Sequence, residues 1–236
     1  MAKKKKSKSK AKGGFKRWIR RWLLRLTLGF AALIGFFILL FSIVNPPTTH
    51  TMWTEGSRLG RVEQEWVAFE DIAPVMARTA VAAEDARFCQ HWGIDVRAVR
   101  AVLDEGAKRG GSTISQQVVK NVFLWQDRSW LRKALETLIT PAVEAVWSKQ
   151  RILEVYLNVA EMGEGVFGVK AAARKYFDVP PDQLNAEQAS LLAAVLPAPK
   201  TRSAKDPSPK LTERALLIAD GAATIRADGR AGCFED

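Results

Sequence analysis

Residues 71–88 read DIAPVMARTAVAAEDARF, and the spacing of their apolar positions decides the fold class. Placed on a helix, Ala77, Val81, Glu84 and Phe88 share one stripe by the three- and four-residue rule. The spacing predicts a helix over 71–88 with Asp71 as its N-cap. It also sets a carboxylate on an apolar stripe. Burial disfavours the ionised form and raises the pKa, which suits a general acid or base near neutral pH. The plainer alternative is a helix-edge Glu that pairs with Arg78 or Arg87, and periodicity leaves both open. Asp85 points off the stripe and is expected to be structural. His91 alone is expected to be a packing histidine, and two His in the whole chain exclude a histidine-rich metal site.

Outward from this segment the pattern stays helical. The spacing predicts helices over 95–108, from Ser112 or Thr113 to about 121, over 130–158 with a kink at Pro141, and over 168–176, 182–195 and 210–226. Thr113 and Gln116 fit a capping box. Residues 62–69 alternate poorly and offer at most a short strand. The expected fold class is mainly α.

Leu26 to Val44 is a run of nineteen uncharged residues. As a helix it rises ~28 Å, close to the ~30 Å hydrocarbon core of a bilayer. Trp18 and Trp22 precede it where aromatic rings favour the interface, and Asn45-Pro46-Pro47 follows. No small-residue cleavage site of a signal peptide precedes that tripeptide. The expected organisation is a basic arm over 1–25, a transmembrane helix over 26–44, a linker over 45–70 and a domain over 71–236. The arm's first seventeen residues are expected to be unstructured on anionic headgroups.

The formal net charge is +11. Residues 1–25 hold twelve Lys and Arg and no acid, whereas the rest holds 24 against 25 Asp and Glu. A nucleic-acid-binding domain carries its own basic face, so that class is excluded. Lys and Arg resist translocation, which keeps the arm cytoplasmic and puts residues 48–236 on the other side. Cys89 and Cys233 do not make a disulfide framework. In an oxidising compartment they could pair, but spacing alone cannot bring them together, and the plainer expectation is one buried thiol and one tail thiol.

Two further clusters carry chemistry. Residues 110–121, GGSTISQQVVKN, open a helix whose N–H groups can receive an anion, with Lys120 further along. An ordinary loop-to-helix start fits as well. Arg128, Arg132 and Glu136 share one helix face, as a solvated salt-bridge stripe or as a cationic cradle with one acid in it.

Together these pieces resemble the glycosyltransferase domain of peptidoglycan synthases, a family of lysozyme-like fold. The resemblance runs from about Ala80 to Pro199 in five ordered blocks: 84–95, 110–121, 132–136 with 148–158, 165–168 with 171–177, and 189–197. The segment Asn158-Val-Ala-Glu161-Met-Gly163 is similar to the monofunctional subgroup. Pro141 departs from the family pattern, and so does Leu135, where some members keep a basic residue.

The resemblance implies Glu84 as catalytic base and Glu136 as a second important carboxylate. It implies Lys120, Arg128 and Arg132 as phosphate-holding residues, with Ser112, Gln116 and Gln117 lining the cleft. The implied substrates are lipid II and a glycan strand on undecaprenyl diphosphate, joined by a β-1,4 linkage with inversion. Glu136 either orders the cationic network or holds Mg2+ or Mn2+ at the diphosphate. The implied place is the cell inner membrane, single-pass, with the domain in the periplasm and other cell-wall synthesis proteins as partners. Residues 122–125 and Trp130 are candidates for a flap dipping into the membrane, or for core. A lysozyme-like hydrolase of peptidoglycan and a non-catalytic cell-wall scaffold are the alternatives.

Overall fold

The computed structural model describes residues 7–104, 111–127 and 129–235. The chain divides into two compact units, 1–43 and 44–236.

The first unit is one helix, α1 (Ser7–Phe41). Within it Phe15–Phe41, 27 residues with a mean hydropathy of 2.3, is long and apolar enough to cross a membrane. The helix starts well before Leu26 and takes in residues 7–25 of the arm, most of which was expected to be unstructured. Ala, Leu, Lys and Arg dominate that stretch and are good helix formers. Phe15, Trp18 and Trp22 add ring contacts at 6.1 and 6.2 Å along one face. The helix stops three residues short of Val44, ahead of the two prolines.

The second unit begins with a correction. The expected linker carries α2 (His50–Leu59), capped by the Thr49 side chain on the Met52 N–H and closed by Gly60 at φ +83°. Next comes β1 (Glu63–Gln64), then α3 (Pro74–Glu84), α4 (Val96–Asp104), α5 (Ile114–Phe123), α6 (Trp130–Val146) and α7 (Lys149–Val159). A turn of β2 (Glu161–Gly163) and β3 (Val166–Phe167) leads to α8 (Val169–Phe177), α9 (Ala186–Val195), α10 (Pro209–Ala227) and α11 (Gly232–Glu235).

Several helix bounds differ from the spacing, among them the start of α9, at Ala186 under an Asn185 cap rather than at 182. Helix α3 starts at Pro74 rather than after Asp71, because proline fits the first helical turn and Asp71 closes a short 3-10 turn. It stops at Glu84, where Asp85 turns to φ −158°, ψ 67°, so Phe88 sits in a separate 3-10 turn. The long helix expected over 130–158 is two helices. They divide at Trp147, with Ser148 capping α7 through the Arg151 N–H at 3.0 Å, and Pro141, where a kink was expected, lies inside α6. Asp95 caps α4 by accepting from the Ala98 N–H at 3.0 Å, and the helix's expected end at Lys108 lies outside the described residues.

Helix α9 is the hub, with Ala189 to Val195 all buried. It packs with α10 and α3, while α5 packs with α6 and α7. The three short strands run β1-β3-β2, with β1 parallel and β2 antiparallel to β3. Fully buried Asn158 fastens the extended chain before α3: it accepts from the Val67 N–H and donates to the Val67 carbonyl at 2.8 and 2.9 Å. Gly168 approaches the backbone of the same residue at φ +81°, where a Cβ would lie 2.7 Å from the Asn158 carbonyl oxygen. Cys89 and Cys233 are bonded to each other, against the expectation of two separate thiols. Folding brings together residues 144 positions apart, which spacing cannot show.

Candidate active site

Glu84 is the last residue of α3, and Oε2 accepts from Gln117 Nε2 on α5 at 2.8 Å. The two arginines that offered an ordinary ion pair are engaged elsewhere. Arg87 grips Asp95 through two nitrogens at 2.9 and 2.6 Å, and Arg78 meets Glu235 at 2.7 Å. Glu84 is therefore a half-buried carboxylate held by a neutral amide. Its burial pushes the carboxyl above the ordinary value, while the Gln117 bond and the charges of Arg214 and Lys120 pull it back.

Asp85 is structural, as expected. It is buried, accepts from the Ile114 N–H at the start of α5 at 3.0 Å, and holds His91 Nε2 at 2.8 Å. The carboxylate thus pins the turn after Glu84 to the helix that supplies Gln117 and Lys120. His91 packs against Phe88, and Lys149 Nζ donates to the His91 carbonyl at 2.9 Å. Gly93 is required here. Its φ is +79°, and a Cβ would come within 2.5 Å of Thr140 Cγ2.

On α6, Glu136 is 3% exposed, which rules out a solvated stripe. Arg132 Nη1 donates to Oε2 at 2.8 Å, and Lys133 Nζ pairs with Oε1 and reaches Ser112 Oγ at 3.0 Å. Lys120, on the facing side of α5, is held below the ordinary lysine value by burial, offset partly by the Glu136 charge. Glu84, Lys120 and Glu136 therefore form one alternating series of charges that act on each other.

Of the expected site residues, Ser112 and Glu84 border a cavity of about 180 Å3. Gln117 and Lys120 border an adjoining one of about 340 Å3. Gln116 does not line either. It is buried in the capping box of α5, where its side chain accepts from the Thr113 N–H at 3.2 Å. Arg128 lies outside the described residues. The flap candidates divide: Leu124 is buried and Phe123 packs on Trp147 at 6.2 Å, whereas Trp130 is 92% exposed.

Five contributors escaped the sequence. Lys133 stands three before Glu136, a helix-neighbour spacing that signals the pair. Arg214, on α10, acts on Glu84 across 130 positions, and no local pattern reveals it. Thr51, Thr54 and Glu55 of α2 wall the larger cavity, where Glu55 pairs with Lys200.

The donors also bear on the divalent ion weighed at Glu136. Both carboxylate oxygens already face cations. Asp85, His91 and Asp95 have ligand atoms within 4.8 Å of one another, yet Asp95 is chelated by Arg87 and Asp85 by Ile114 and His91. Neither set suits a resident metal.

A half-buried carboxylate beside a desolvated lysine, at the end of a helix in a mainly α domain, marks the class as a helical enzyme with an acid–base site. The chain belongs to the transglycosylase family, whose model matches residues 52–223. It is 58% identical over 216 residues to the biosynthetic peptidoglycan transglycosylase of Jannaschia sp. (strain CCS1), covering 92% of this chain and 90% of that one. The protein of the same description from Klebsiella oxytoca is 47% identical over 214 residues, covering 86% and 88%. That of Pectobacterium atrosepticum is 46% identical over 221 residues, covering 87% and 89%.

Proposed function

We propose that this protein is a membrane-anchored peptidoglycan glycosyltransferase that polymerises lipid II into β-1,4-linked glycan strands. Glu84 takes the proton from the 4-hydroxyl of the acceptor sugar. That oxygen forms the bond to the donor's anomeric carbon from the face opposite the diphosphate. The carbon–oxygen bond to the diphosphate breaks, its electron pair leaves with undecaprenyl diphosphate, and the anomeric centre inverts. Glu84 then releases its proton to water. Lys120, with Arg132 and Lys133 ordered by Glu136, neutralises the charge that develops on the leaving group. The helix α1 holds the domain at the inner membrane where both substrates reside, with residues 44–236 on the periplasmic side and exposed Trp130 toward the lipid.

The observation that carries this reading is the state of the second carboxylate. A glycoside hydrolase uses two carboxyl groups, one as acid and one as base or nucleophile. Glu136 is paired to two cations and Asp85 to a backbone N–H and His91, so neither is free for the second task. Diphosphate leaves without a proton donor, and a cationic surround suits it. Purified protein given labelled lipid II is expected to yield long glycan. Release of soluble muropeptides from finished peptidoglycan, with no polymer from lipid II, would establish the hydrolase instead.

The pKa directions predict a bell-shaped rate. Glu84 works ionised, and its carboxyl is raised above 4.5, so kcat/KM rises with pH through that raised value. Lys120 works protonated and is lowered from 10.5, so the rate falls again below the ordinary lysine range. Lys120→Arg keeps its charge at all accessible pH and is expected to move the alkaline limb upward. An alkaline limb unchanged in that variant would remove Lys120 as its origin.

A further inference from the structure

The segment after α10 folds back under the residue that the proposed reaction depends on. The chain reverses at Gly229 (φ +74°) and closes in α11. From there four contacts reach α3 and the turn behind it. Arg230 Nη1 donates to the Ala86 carbonyl at 2.9 Å, while its Nε is fixed by Asp228 at 2.8 Å. Cys233 is bonded to Cys89. Phe234, 1% exposed, lies with its ring 6.4 Å from that of Phe88. Glu235 pairs with Arg78, six residues before Glu84 on the same helix.

The targets explain the arrangement. Glu84 ends α3, and the residues after it leave the helical ladder, so their carbonyls need other partners. One side of this turn is tied to α5 by Asp85 and the Ile114 N–H. The opposite side has Arg230 on Ala86 and the disulfide on Cys89. A carboxylate at a helix end follows its turn, and a displacement of about 1 Å costs a reaction on the order of 100-fold.

We propose that residues 228–235 are a brace that positions Glu84, locked by the Cys89–Cys233 disulfide. The proposal rests on Glu84 being the base. Cys233 is exposed, so a dithiol in solution reaches the bond. The dithiol is oxidised to its own disulfide, and its two electrons and two protons leave Cys89 and Cys233 as thiols.

The test uses the full chain in detergent with labelled lipid II, at a temperature where circular dichroism shows every form folded. Dithiothreitol-treated protein and Cys233→Ser are expected to lose about tenfold in kcat with KM within twofold, and reoxidation restores the treated wild type. Cys233→Ser no longer responds to dithiothreitol. Arg230→Ala, which keeps the disulfide, is expected to lose three- to tenfold, again in kcat. Folded, reduced protein and Arg230→Ala at full kcat, beside an inactive Glu84→Gln, would overturn the brace alone. A loss seen only as raised KM overturns it too. Glu84→Gln as active as wild type overturns both the brace and the base.

Discussion

Glu84→Gln is expected to lower lipid II polymerisation by about 10²–10⁴-fold, the range that a general base contributes. The substitution is nearly isosteric, and its amide oxygen still accepts the Gln117 N–H that the carboxylate accepts at 2.8 Å. What disappears is the capacity to hold the acceptor's proton. The stability consequence has the opposite sign. A carboxyl raised by burial in the folded state favours folding below its unfolded pKa, and that contribution is lost as pH rises through the folded value. At neutral pH the ionised Glu84 is therefore a cost to the fold, and the amide removes it. The variant is expected to unfold at the same or a slightly higher temperature than wild type. Polymer length and yield on a gel, beside a thermal scan, check both halves. Wild-type polymer yield from the Gln variant would end the base assignment.

Lys120→Met is expected to lower kcat by about 10²–10³-fold, as loss of one preorganised charge does where charge develops. Lys120 is half-buried between Glu84 and Glu136, so its ammonium acts where water screens little. Methionine keeps most of the stem's packing. Arg132 and Lys133 still neutralise Glu136, so no buried acid is left bare and the fold should hold. The loss belongs in kcat, because the diphosphate's extra charge exists only as the bond breaks. Steady-state kinetics separate the cases. An unchanged kcat with a raised KM would make Lys120 a ground-state binding residue.

Much of the molecule was legible in the chain because it is written in local pattern. The helical class, the capping box at Thr113 and Gln116, and the structural character of Asp85 follow from spacing or composition and stand in the structure. Helix bounds were legible to within a few residues except where backbone chemistry overrode periodicity. Pro74 moved one start, and the turn at Asp85 moved one end. Helix α6 runs on through Pro141, where a kink was expected, and the division that the spacing did not show falls at Trp147 and Ser148. The linker over 45–70 was misjudged because α2 is a short helix set by its Thr49 cap and by Gly60, with buried Glu55 paired to Lys200, 145 positions away.

By itself the sequence determined which residues carry charge, which stripe each helix can bury, and which segment is apolar enough to cross a membrane. Those are properties of side chains and their spacing. Only the tertiary structure decided what surrounds Glu84. Spacing allowed it an arginine partner; folding gave Arg78 to Glu235, Arg87 to Asp95, and left the carboxylate with Gln117 and its burial. The same holds for Arg214 and for the Cys89–Cys233 bond, which join parts of the chain more than a hundred residues apart. Such pairs are set by packing of whole helices, and a periodicity of three to four residues carries no record of them.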